Sequence, residues 1–194
     1  MPMVEVRIHG RGGQGVVTAA ELLSAAAFHE DRHAQAFPTF GSERSGAPVV
    51  AFCRIAEAPI RIREPISRPD AVIVQDATLL HQVRLFEGLG EHANVLVNSE
   101  RSPADLGLDD LVDRLPPGHC VTVPATRIAL YHLGRPLPNA ALLGAFAAHT
   151  RVVSLASILE AIAERFRGKV REGNAAAAMA AHAHVVGKRE EALL

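Results

Sequence analysis

The 194-residue sequence contains no tryptophan and one tyrosine. Single-stranded nucleic acid is held by stacking bases on aromatic side chains, and this chain has too few rings for such a platform. Its two cysteines, Cys53 and Cys120, are too few for a disulfide framework and belong to no C-x-x-C pair. The chain alone therefore cannot ligate an iron–sulfur cluster or a zinc ribbon. With no signal-peptide pattern read at its start, a reducing cytoplasm is the expected compartment. No apolar run is long enough to span a bilayer. Twenty basic residues against 21 acidic ones leave no field that would draw the chain to nucleic acid or an anionic membrane. The ten histidines are scattered, and the closest pair, His182 and His184, would point to different faces of a helix. No metal site is expected.

What the sequence does have is concentrated between Val4 and Thr18. Val4, Val6 and Ile8 alternate with Glu5, Arg7 and His9, the period of a short strand. Val16 to Phe28 is rich in alanine and leucine and predicts a helix. Between them Gly10, Gly12 and Gly15 fit the spacing G-x-G-x-x-G, with Gly13 in addition. A helix N-terminus carries unpaired N–H groups and a positive dipole end, and glycines let an anion approach the backbone. The same glycines would also serve a tight strand-to-helix turn with no ligand.

Further strands are expected at His33–Phe37, Val49–Ile55, Asp70–Asp76, Asn94–Asn98 and His119–Pro124, with Ile60–Arg63 pairing with the second of these as a hairpin. Helices are expected at Thr78–Gly88, within Asp105–Leu115, and at Ala125–Leu133, Ala140–His149, Ser154–Phe166 and Arg171–Val186. Ser154 supplies an N-cap to an apolar stripe of Leu155, Ile158, Leu159 and Ile162. The alternation predicts an α/β fold: a Rossmann-like three-layer sandwich with a mostly parallel sheet, helices on both faces and a helical C-terminal part. Residues 1–187 are expected to form a single domain, and residues 188–194 a frayed tail. One feature argues against a nicotinamide dinucleotide. The strand at His33–Phe37 ends in Phe37-Pro38-Thr39, without the Asp or Glu that would hold the ribose hydroxyls.

Several motifs resemble one family in order. Gly10-Arg11-Gly12-Gly13-Gln14-Gly15-Val16-Val17-Thr18 resembles the N-terminal signature of the gamma subunit of 2-oxoacid:ferredoxin oxidoreductases. The long loop Phe37–Pro48 is similar to the family's second signature through Glu43, Arg44, Gly46, Ala47 and Pro48, and departs from it at Gly41, Ser42 and Ser45. Leu133-Gly134-Arg135-Pro136 with Asn139 and Leu143-Gly144-Ala145-Phe146 gives a third match, and Lys169 with Asn174-Ala175-Ala176 a weaker fourth. The resemblance spans essentially the whole chain, making residues 1–187 a gamma-type domain.

The resemblance implies an enzyme that oxidatively decarboxylates a 2-oxoacid, pyruvate or another such as an arylglyoxylate, to an acyl-CoA. Electrons pass to ferredoxin or another acceptor. The implied complex holds thiamine diphosphate with magnesium and iron–sulfur clusters in thiamine-binding and ferredoxin-like partner subunits, and takes CoA as substrate. This chain would be an accessory subunit with no catalytic residue and no metal of its own. Its candidate binding residues are Gly10, Gly12, Gly13, Gln14, Gly15 and Thr18, with Glu43, Arg44 and Gly46. The glycine turn would meet a CoA phosphate or accept a loop of a partner, and Arg44 could grip an anion in bidentate fashion or pair with Glu43. A stand-alone nucleotide-binding module and a purely structural scaffold are the alternatives. Calorimetry of the isolated chain with NAD tests the first of these, and no tight binding is expected.

Overall fold

The computed structural model describes residues 3–39 and 46–191. Six strands form one sheet: β1 (Val4–Arg11), β2 (His33–Pro38), β3 (Pro48–Ala56), β4 (Ala71–Val74), β5 (Asn94–Asn98) and β6 (Cys120–Val123). Their order across the sheet is β2-β3-β1-β4-β5-β6. β1, β4, β5 and β6 run parallel, whereas β3 is antiparallel to both of its neighbours. The helices are α1 (Val16–Phe28), α2 (Asp109–Arg114), α3 (Ala125–Leu133), α4 (Asn139–Thr150), α5 (Leu155–Arg165) and α6 (Gly168–Glu191). The fold is thus α/β with a mixed, mostly parallel sheet and a helical C-terminal part ending in one long helix. None of the described helices is long and apolar enough to cross a membrane.

The two faces of the sheet are covered unequally. Val6, Ile8, Cys53, Ile55, Ile73, Leu96 and Val123 point towards α1, α4, α5 and α6 and share one core with them. On the other face Val72, Val74, Val95 and Val97 pack against Leu79, Leu85, Leu106, Leu108, Leu111 and Leu115. These come from two short 3-10 turns, from α2 and from connecting chain. The helical layer is thick because α4 is buried along most of its length, Asn139 to Ala148.

Two buried arginines explain where the secondary structure departs from expectation. Arg54 of β3 is 2% exposed. Its Nε donates to Glu5 Oε1 at 2.7 Å, and its Nη2 to the Glu64 carbonyl at 2.7 Å. Ile60–Arg63 therefore forms no hairpin strand. Both edges of β3 are already paired, to β1 and β2, and the nearby carbonyls are turned to satisfy a buried cation that would otherwise be costly. Arg7 of β1 likewise donates from Nη2 to the carbonyls of Leu85 and Glu87, at 2.8 and 2.7 Å. A helix over Thr78–Gly88 would keep such carbonyls for its own ladder, and the chain forms only a 3-10 turn at Ala77–His81.

Elsewhere the local signals hold. Ser154 caps α5 by accepting from the Ser157 amide at 3.1 Å. Glu30, just beyond α1, accepts from the Ser154 amide and the Ser157 hydroxyl at 2.7 and 2.6 Å, tying α1 to α5. α6 begins at Gly168, earlier than the alanine run alone suggests, and continues past Lys188 to Glu191. Gly144 lets α4 and α6 meet closely, since a methyl group there would lie 2.7 Å from Ala178 Cα. Gly144→Ala should therefore cost roughly 1–3 kcal/mol of stability by overpacking. Among the described residues nothing lies within 4 Å of a Cβ placed at Gly187 of α6, so Gly187→Ala should be neutral or mildly stabilising. Urea midpoints of the two variants at unchanged slope check this contrast.

Candidate functional site

The glycine turn lies at the C-terminal ends of β1 and β4. From β1 the chain leaves through α1 towards β2 and β3, whereas β4, β5 and β6 extend the sheet on the other side. The turn therefore sits at the topological switch point, where open α/β sheets place their ligands. The order also accounts for the missing acid. In a dinucleotide fold the second strand adjoins the first, but here β3 intervenes and carries β2 to the sheet edge. An acid at Pro38 would face no cofactor in the crevice.

Each residue of the turn has a definable role. Gly10 ends the buried part of β1; a Cβ there would fall 2.6 Å from Val16 Cγ2 and 3.2 Å from Gln75 Cβ. Gly15 is the N-cap of α1 with φ 76°, and a Cβ would meet Asn139 Nδ2 at 2.7 Å. Asn139 opens α4, so the first and third signature motifs touch. Gly13, at φ 94°, is exposed, and among the described residues nothing lies within 4 Å of its missing side chain. It is the open side of the turn. Thr18 lies half-buried in the first turn of α1, a turn with no acidic residue and no side-chain cap on the helix.

Gln14 and Arg11 brace the turn. Gln14 Oε1 accepts from the Arg11 amide and its Nε2 donates to Asp76 Oδ2, both at 2.8 Å. Arg11 Nε reaches Asp76 Oδ2 at 3.2 Å, and Nη2 reaches Thr78 Oγ1 at 2.7 Å and Gln82 Oε1 at 2.9 Å. The pair is largely shielded, with side-chain exposures of 22% and 16%. Burial opposes the charge on Asp76. The Thr78 and Gln14 hydrogen bonds, with Arg11 beside it, outweigh burial and hold the carboxyl below its ordinary value. Arg11 is thereby committed to protein groups and cannot serve as a free fork for a ligand.

The second signature loop joins the same site. Gly46 has φ 83°. Its amide donates to the Gly12 carbonyl at 3.2 Å, and the Gly12 amide donates to the Ala47 carbonyl at 2.9 Å. Arg11 Nη1 also donates to the Gly46 carbonyl at 3.1 Å. Glu43 and Arg44 lie outside the described residues.

Three neighbours of the site have no counterpart in the sequence reading: Asp76, Gln75, and the pair Asn98–Thr126. Asp76 does leave a trace, since Asp-x-Thr after a strand is a capping pattern, and its Oδ1 accepts from the Thr78 amide at 2.9 Å. Asn98 Nδ2 donates to the Gln75 carbonyl at 2.8 Å and to Thr126 Oγ1 at 2.7 Å. Gln75 is 1% exposed, and neither of its side-chain amide atoms has a hydrogen-bond partner among the described residues.

Other reactive side chains offer little. Burial pushes the Cys53 thiol up to about 12 and the Cys120 thiol up to about 11, so neither is a nucleophile at neutral pH. Burial, with Arg7 beside it, pushes His9 down to about 4 and keeps it neutral. Among the described residues no three His, Cys, Asp or Glu side chains converge on a metal position.

Fold and site together define an α/β chain with a Rossmann-like strand, glycine turn and helix, whose turn is welded to a second loop. The sequence profile of the pyruvate ferredoxin/flavodoxin oxidoreductases matches residues 5–184. The chain is 47% identical over 186 residues to pyruvate synthase subunit PorC of Methanocaldococcus jannaschii, covering 96% of this chain and 99% of that one. It is 51% identical over 176 residues to the pyruvate/ketoisovalerate oxidoreductases common subunit gamma of Thermococcus kodakarensis, covering 91% and 94%. The crystal structure of pyruvate oxidoreductase subunit PORC from Thermotoga maritima superposes with a TM-score of 0.79 at 34% identity, covering 93% and 96%. The chain belongs to the pyruvate ferredoxin/flavodoxin oxidoreductase family, as a gamma subunit of a multisubunit 2-oxoacid oxidoreductase.

The brace predicts a pH signature. A carboxyl held below its ordinary value contributes stability that is fully present above about pH 4, and loses it as pH falls through the folded-state value. Asp76→Asn should cost about 1–3 kcal/mol at neutral pH. It should also flatten the part of the acid destabilisation seen below pH 4 that Asp76 contributes. Thermal melts of both proteins across pH 3–7 test the prediction.

Proposed function

We propose that the chain helps complete the active-site assembly of its complex and that its glycine turn binds CoA. The observation that carries this reading is the hydrogen bonding of Gly12 to Gly46 and Ala47, which merges the two signature segments into one surface. Three features fit a phosphate there. The first turn of α1 has no acid and the helix has no side-chain cap, Gly13 presents open backbone, and the nearby Asp76 carboxylate is neutralised by Arg11. Arg44 and Thr18 would supply further donors, with Glu43 orienting Arg44. Residues 1–187 would act as one gamma-type domain, in the cytoplasm.

Thiamine diphosphate with magnesium and the iron–sulfur clusters belong, in this reading, to partner subunits, where they supply carbanion stabilisation and electron transfer. This chain's two cysteines have thiol values raised by burial, and no metal-ligand cluster forms among its described residues. What its residues do is bind and orient. The substrate is proposed as pyruvate or a related 2-oxoacid such as ketoisovalerate, after the names of the relatives, with ferredoxin as electron acceptor.

A second reading, in which the turn accepts a partner's loop, is favoured by the same exposed Gly13. Kinetics of the intact complex separate the two. Losing a charge-assisted contact costs about 1.5–3 kcal/mol, so Arg44→Ala should raise the KM for CoA by roughly 10- to 100-fold. Turnover at saturating CoA should stay unchanged. Thr18→Val should give a smaller rise of the same kind. An unchanged KM for CoA together with loss of the complex on gel filtration would leave the partner-loop reading.

A further inference from the structure

At the opposite ends of the parallel strands from the glycine turn, the open edge of the sheet borders a cavity of about 480 Å³. Val121 of β6 and Val185 of α6 supply apolar wall; among the described residues that line it, His119, His149, Lys188 and Arg189 are the charged or protonatable groups, and none is a carboxylate. In a chain whose charges nearly cancel, 20 against 21, this is a local concentration of one sign. Like charges so placed repel one another, and an anion between them relieves the repulsion.

The two histidines are set to respond to such a ligand. His119 Nδ1 lies 3.2 Å from the Ala93 carbonyl and His149 Nε2 lies 3.2 Å from the His119 carbonyl. A carbonyl only accepts, so each of these nitrogens carries the proton. The other nitrogen of each ring makes no hydrogen bond among the described residues, and becomes a donor when the ring is charged. Burial above all, and then the positive charges of His119 and Arg189, push His149 below its ordinary value despite the bond to the His119 carbonyl.

We propose that this cavity is a binding site for a small organic oxyanion. Its phosphate or carboxylate group is held by Lys188 and Arg189, joined by His119 and His149 when their rings are protonated, and its carbon body lies against Val121 and Val185. The volume falls within the roughly 300–1,000 Å³ of small-molecule sites, and the wall combines apolar surface with a few convergent polar groups as such sites do. The site is separate from the glycine turn: the turn follows the C-terminal ends of β1 and β4, whereas the cavity lies at the N-terminal ends of β5 and β6.

The test is calorimetric titration of the assembled complex, and of the full chain alone, with inorganic phosphate and separately with citrate at fixed ionic strength. Saturable binding is expected, weakened at least tenfold by Lys188→Ala/Arg189→Ala and about threefold or more by His149→Gln. Lys188 and Arg189 are exposed, so the double variant tests the site without depending on how the half-buried His149 tolerates change. The probe that binds more tightly tells a phosphate-bearing from a carboxylate-bearing ligand. Lys169→Ala, an exposed lysine at the far end of α6, and Arg44→Ala should leave the affinity unchanged, the latter whatever becomes of CoA binding. Heat that never saturates, or an equal loss in Lys169→Ala, overturns the proposal. So does binding by the isolated chain that vanishes in the complex, since a partner subunit then covers the cavity.

Discussion

The Arg11–Asp76 pair is the contact on which the functional end of this molecule depends. It joins the glycine turn after β1 to the loop after β4, and Gln14 repeats the connection through the same carboxylate. A turn rich in glycine is entropically expensive to hold in one shape. Here a half-buried ion pair, a neutral amide and the Thr78 hydroxyl fix it from one side, and Gly46 and Ala47 fix it from the other. The result is a rigid junction whose open face is Gly13, a suitable frame for a subunit that supplies binding and orientation to a complex.

A second constraint acts on the thin side of the sheet. β1 and β3 place Arg7 and Arg54 on a face that would ordinarily be apolar. The chain covers them with carbonyls from Ile60–Glu64 and Leu85–Glu87. These segments have irregular backbone because their acceptors are spent on guanidinium groups. The thick side obeys a simpler rule. Alanine and glycine on α4 and α6 let the two helices close on each other, and α4 disappears into the core.

The legible parts of the sequence were the local ones. The period of β1, the alanine-rich α1, the Ser154 cap and the helix Ala125–Leu133 depend on neighbours within a few residues, and the structure has them where the pattern puts them. Ile60–Arg63 alternates as well as any strand in the chain, yet β3, its expected partner, has no free edge left. The helix over Thr78–Gly88 fails because Arg7, distant in sequence, takes two of its carbonyls. No window of a dozen residues contains that information.

The same division holds for the site. The sequence by itself determined that a strand, a glycine turn and a helix follow one another, and its ordered motifs marked the oxidoreductase gamma subunit, since both depend on residue identity at fixed spacing. Only the tertiary structure decided that β3 would enter the sheet between β2 and β1. That insertion moves β2 away from the crevice and brings Gly46 to Gly12. It also leaves Asp76, from the far side of β1, as the partner of Arg11. Strand order is set by which buried faces and edges find each other across the whole chain, and spacing along the chain does not encode it.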